Sequence, residues 1–214
     1  MDPTHPLYEP SASKEVKEAV KFFYASMDEV LRQTLSKLDS HSTLFLLSDH
    51  GFAPFGKEFN VSSWLLKQGF SAAVDDEEIY DSKFYSALDW GRTKAYALGL
   101  NGIYLNLKDR EPHGVLTSGE AESVKAEIIS KIQDARDPHT GAKILVNAYD
   151  ARKVYSGPYL ALAPDIVLGY ASDYRISDKS VLGEFPREII SPREDKWAAD
   201  HCMDPSVVPG VLFS

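Results

Sequence analysis

Apolar and polar positions along the chain predict an alternation of helices and strands. Over residues 13–38 the apolar residues Val16, Ala19, Val20, Phe23, Met27, Val30, Leu31, Leu35 and Leu38 recur at three- and four-residue steps, with Lys14, Lys17, Lys21, Arg32 and Lys37 mostly off the stripe. That is an amphipathic helix whose stripe is expected in a core, closed by Asp39-Ser40-His41-Ser42. Next comes the unbroken run Leu44-Phe45-Leu46-Leu47, which predicts a strand covered on both faces and hence a parallel one. A short helix is predicted over 61–68, with Trp64 and Leu65 inward and Gly69 at its end. Two strands at 94–98 and 103–107, joined through Gly99 and Gly102, read as a hairpin. Thr117-Ser118-Gly119-Glu120 fits a capping box opening a helix to about residue 135, with Val124, Ile128 and Ile132 inward. Strands follow at 143–148 and 165–170, with Asp150 capping a short helical turn between them. Residues 171–196 show no period and read as a long loop. The pattern as a whole is α/β.

The run at 44–47 ends in Ser48-Asp49-His50-Gly51-Phe52, placing a carboxylate and an imidazole where a parallel strand would present them to a ligand crevice. Taken alone, an Asp-His pair is a capped turn with an ordinary hydrogen bond more often than a metal site. A carboxylate oxygen beside an imidazole nitrogen is nevertheless a donor set suited to Zn, Mn or Fe. Residues 52–56 read as a loop over that point, and Lys57 as a solvated lysine. Asp2 and His5 read as part of a solvated turn, Asp75-Asp76-Glu77-Glu78 as an acidic loop without calcium-loop spacing, and His139 as exposed on a turn. Asp89, Arg92 and His113 are weak candidates to border a substrate, Arg92 being expected to pair with a nearby acid.

Composition narrows this further. The chain has 214 residues, enough for one sizeable core, and a formal charge of −9 that disfavours a nucleic-acid polymer as partner. It does not exclude phosphate esters, because bound cations reverse a local field. One cysteine, Cys202, excludes an internal disulfide, and its neighbour His201 does not make it a catalytic thiol. The first residues do not read as a signal peptide and no apolar run reaches membrane length, which leaves the compartment open. No G-x-S-x-G elbow and no G-x-G-x-x-G turn occurs, which removes serine-hydrolase and dinucleotide-binding readings.

Three segments in a fixed order carry a resemblance: SDHGF (48–52), APDIVLGY (163–170) and ADHCMDPSVVPGVLFS (199–214). With DWGRTKAYALGLNGIYLNLKDRE (89–111) and KVYSGPY (153–159), the chain resembles the type I phosphodiesterase/nucleotide pyrophosphatase branch of the alkaline phosphatase superfamily over almost its whole length. The resemblance implies an alkaline-phosphatase-like sheet with flanking helices, and a metal-dependent hydrolase of small phosphoric esters. It implies two divalent ions, Zn or Mn, about 4 Å apart, which activate a Thr or Ser nucleophile and stabilise the leaving oxygen. Carried over by position, the metal ligands are Asp49, His50 and His201. The side chains of the first two, at a sheet's lip, and the distant imidazole of the third are thus expected to converge on one pocket. Relatives carry the nucleophile, its neighbouring Asp and a D-x(3)-H motif ahead of the segment that starts here. The expectation is therefore a carboxyl-terminal portion, residues 1–214, of a larger catalytic domain, with the amino-terminal part of the fold absent. Such a fragment would bind metal weakly, show little activity alone and associate through an exposed sheet edge. Competing expectations are another superfamily branch (sulfatase, phosphonate hydrolase or phosphomutase) and a non-catalytic α/β binding fragment.

Overall fold

The structure, a computed structural model, describes residues 8–194 and 199–214. Asp2, His5, Lys196 and Trp197 lie outside the described residues. In chain order the elements are α1 (Lys14–Leu35), β1 (Leu46–Ser48), β2 (Ala53–Phe59), α2 (Val61–Lys67), β3 (Ala95–Leu98), β4 (Gly102–Leu105), α3 (Ser118–Gln133), β5 (Leu145–Asp150), α4 (Ala151–Val154), β6 (Ile166–Tyr170), β7 (Asp173–Ile176), α5 (Asp178–Val181), β8 (Ile190–Pro192), β9 (Ala199–Asp200) and β10 (Val211–Phe213). The fold is mixed α/β, with five helices among the described residues. The chain divides into two compact units, Met1–Asp49 with Gly210–Ser214, and His50–Pro209.

In the first unit Ser13 caps α1 by accepting a hydrogen bond from the Val16 amide, as its short hydroxyl side chain favours. The helix forms where the period predicts, but its stripe is not core. No residue of α1 is buried, and Phe23, Met27 and Val30 are exposed. The apolar run before Asp49 is likewise corrected. β1 is three residues long, pairs antiparallel with β10 and is exposed throughout. Continuous apolarity reports that a strand needs cover on both faces; it does not report that the same unit supplies that cover.

The second unit holds two four-stranded sheets. One runs β3-β4-β6-β5 and is antiparallel throughout. The hairpin, the strands near 143–148 and 165–170 and the Asp150 cap all form. The α3 capping box forms as predicted, with Thr117 and Glu120 each accepting from the other's amide. Ile128 and Ile132 of α3 are fully buried, in one cluster with Leu145, Ile166 and Leu168 of the sheet. α2 buries Trp64 and Leu65 and ends at Gly69, whose φ of +75° suits glycine. Its N-cap is Asn60, so Ser62 lies inside the helix and is not a cap.

The other sheet is built around β2, with β7 parallel on one side and β8 and β9 antiparallel. Here the loop expected at 52–56 is a strand. Ala53, Phe55 and Phe59 are buried along it, but Pro54 and Gly56 interrupt the run and hide the alternation. Residues 171–196 are not structureless either. They contain β7, α5 and β8, elements of three or four residues that are too short to show a period. Lys57 is not simply solvated: it sits between two buried groups, donating to Asp137 at 2.8 Å and Tyr174 at 3.2 Å.

Candidate functional site

Register makes the site. β2 starts at Ala53, just after His50-Gly51-Phe52, and β9 ends at Asp200, just before His201. The antiparallel pairing sets Ala53 opposite Asp200 and Pro54 opposite Ala199. Each step back along β2 is then a step forward beyond β9, so Phe52 and His50 meet His201 although about 150 residues separate the two imidazoles in the chain.

The imidazole rings of His50 and His201 are stacked, with centroids 4.1 Å apart and planes 10° apart. Phe52 turns its ring edgewise to both, at 5.5 Å from His50 and 5.4 Å from His201. Nδ1 of His50 lies 2.9 Å from the Gly51 carbonyl oxygen. A carbonyl only accepts, so Nδ1 is the donor to it, and in a neutral ring that proton on Nδ1 makes Nε2 the nitrogen suited to ligate a metal. Nδ1 of His201 lies 3.4 Å from Oδ1 of Asp200, a carboxylate behind an imidazole of the kind that orients metal-binding histidines. Asp200 also accepts from the His201 and Cys202 amides, and its Oδ2 is 2.8 Å from Nε of Arg175. Burial raises the Asp200 pKa, but the two amides and the Arg175 charge outweigh it and hold the carboxyl below its ordinary value. Arg175 and Arg193 each lie 5.3 Å from the centre of the Phe55 ring on β2, a cation–π arrangement that steadies the support of the site.

Among the described residues, Asp200, His201 and Cys202 form one close group of side chains of the types that can ligate a metal, one potential donor atom of each lying within 4.8 Å of the others. Burial and the neighbouring Asp200 push the Cys202 thiol up to about 11, which leaves it protonated and a poor nucleophile at neutral pH. Asp49 is the last residue of the first unit, ending the turn that follows β1. The spacing D-x(3)-H, expected only ahead of the chain, does occur at Asp109 and His113, after β4, but neither joins the close group. Arg92 donates to Asp89 at 2.6 Å, the structural role expected of it. A cavity of about 530 Å³ lined by Arg110, Lys125 and Arg152 contains neither imidazole. Its three cations face carboxylates: Asp165 and Glu111, Glu122 and Asp150, and Glu122.

Sequence reasoning did not single out Arg175 or Phe52 as part of this cluster. The register that brings Phe52 to His201 depends on β2 and β9, one hidden by Pro54 and the other two residues long.

The donor set fits a divalent cation: two imidazoles, one with its tautomer set by a backbone carbonyl, and a carboxylate behind the other. No curated protein and no solved structure matches the chain. The family model for type I phosphodiesterase / nucleotide pyrophosphatase matches residues 5–187, a span that takes in His50 and stops short of His201. The chain therefore belongs to the type I phosphodiesterase / nucleotide pyrophosphatase family.

Proposed function

We propose that this chain carries part of the metal centre of a phosphoric-ester hydrolase of alkaline-phosphatase-like fold, with Asp49, His50 and His201 as ligands to divalent ions, Zn or Mn. The observation that supports this most is the stacked His50–His201 pair, assembled by strand register in a member of a phosphodiesterase-type family. When bound, a divalent ion there supplies Lewis-acid stabilisation of charge on phosphoryl oxygens. The chain's own groups prepare for it. The Gly51 carbonyl fixes the His50 tautomer, and Arg175 holds Asp200 behind His201. Phe52 sets the edge of its ring against both imidazoles. The hydroxyl nucleophile and the ligands of the family's D-x(3)-H motif are assigned to a segment other than those matched here. The apolar exposure of α1 and β1 supports that assignment. A small phosphate ester is the substrate class.

Calorimetric titration of the 214-residue chain with zinc and with manganese tests the reading. Binding is expected, weakened by at least about tenfold in His50→Ala and in His201→Ala. Turnover of an aryl phosphodiester is expected to be negligible. Hydrolysis that persists in both variants, or metal binding indifferent to both, rules the assignment out.

A further inference from the structure

We propose that Asp204 is the positioning residue that sets the His201 imidazole against that of His50, acting through the backbone of residues 201–208. Asp204 is buried, at 2% exposure, and every polar group it carries is engaged. Oδ2 accepts from the Tyr149 hydroxyl of β5 at 2.7 Å, and Oδ1 from the Ser206 amide and hydroxyl at 3.0 and 2.6 Å. Its amide donates to the Tyr170 carbonyl at the end of β6. Gly169, one residue earlier on β6, lies directly beneath the carboxylate, for a Cβ there would stand 2.3 Å from Oδ2. The loop is thus pinned to the antiparallel sheet at one point, by a side chain that fits only over a glycine.

From that point the backbone reaches both imidazoles. Towards His201, the Met203 amide donates to the His201 carbonyl at 2.8 Å. Towards His50, the Val208 amide donates to the Asp204 carbonyl, and the Val208 carbonyl accepts from the Gly51 amide at 3.1 Å. The carbonyl of that same Gly51 holds Nδ1 of His50. One carboxylate therefore anchors the two strands of backbone that carry the stacked pair. Its consequence for metal binding rests on the reading above; the positioning itself does not.

The test is nuclear magnetic resonance of the histidine-labelled 214-residue chain, in the parent and in Tyr149→Phe, Asp204→Asn and Asp204→Ala. His50→Ala and His201→Ala assign the ring signals and measure the displacement that each ring imposes on the other. In Tyr149→Phe and Asp204→Ala the His201 signal is expected to lose that displacement while the amide signals of the two sheets persist. Asp204→Asn, which keeps acceptor oxygen at the same place, should retain part of it. A His201 signal unchanged in Tyr149→Phe and Asp204→Ala overturns the proposal, as does a change in Tyr149→Phe that comes only with general loss of the folded spectrum. Zinc titration of the same samples separates the two ideas. A parent pair silent to zinc removes the metal reading and leaves the positioning judged on the zinc-free spectra. A zinc response weakened by about tenfold or more in Tyr149→Phe supports both.

Discussion

Lys57, Asp137 and Tyr174 meet in a triad whose members come from β2, the turn after α3 and β7. Asp137 is fully buried at its side chain, 2.8 Å from the Lys57 ammonium and 2.8 Å from the Tyr174 hydroxyl, which donates to it. Burial alone would raise the Asp137 pKa; the Lys57 ammonium, the His139 amide and Tyr174 reverse this and hold it well below the usual carboxylate range. Asp137→Asn leaves that ammonium with only the more distant Asp173 carboxylate, at 3.8 Å, and should cost roughly 2–3 kcal/mol at neutral pH, measured by urea unfolding. Because the folded pKa is depressed, the contribution is present above the ordinary value of 3.8 and is lost as pH falls below it. The parent and the variant should converge in stability on that acid limb. At Gly169 the expected cost is steric: Gly169→Ala drives a methyl into the Asp204 carboxylate and should lose about 1–3 kcal/mol, the range for overpacking, in a thermal or urea melt. At this scale, legibility in the sequence divides by kind. His50 and His201 were readable because they stand inside ordered motifs. The triad was not, since its members lie 80 and 117 positions from Lys57 and no local pattern links them.

Elements were readable where their period ran long enough. α3 shows its cap, its inward face and its end in the sequence, and all three are in the structure. Thr117→Ala removes the acceptor for the Glu120 amide and should destabilise the second unit by about 1 kcal/mol, read as a shift in the chemical denaturation midpoint. Ile128→Ala, on the buried face of the same helix, should cost about 2–5 kcal/mol. The difference between the two measures how far packing outweighs capping. β2 escaped reading because Pro54 and Gly56 sit where its alternation would otherwise be visible. Pro54 is tolerated there next to Ala199 at the end of a two-residue ladder, and Gly56 because the Asp173 carboxylate accepts its amide at 2.7 Å.

At the scale of the whole molecule, the two units differ in how their apolar groups are spent. The second keeps a continuous core that includes Phe59, Leu65, Ile103, Ile128, Leu145 and Tyr170. The first exposes Phe22, Phe23, Met27, Phe45, Leu47 and Leu212, a density of apolar surface that marks association sites in soluble proteins. Phe23→Asp should leave the unfolding midpoint within about 0.5 kcal/mol while lowering the mass distribution in light scattering and the binding of an apolar dye. Among the described residues no helix is long and apolar enough to cross a membrane. The arrangement around β2 has a further consequence, for the order of events during synthesis. This strand is made more than a hundred residues before β7, β8 and β9, which flank it. Until those three have left the ribosome its edges stay open, and closing them means looping out all of the intervening chain. A nascent chain stalled before Asp173 should be readily cut by protease near Pro54, and one extended far enough to expose β9 should be protected at that bond.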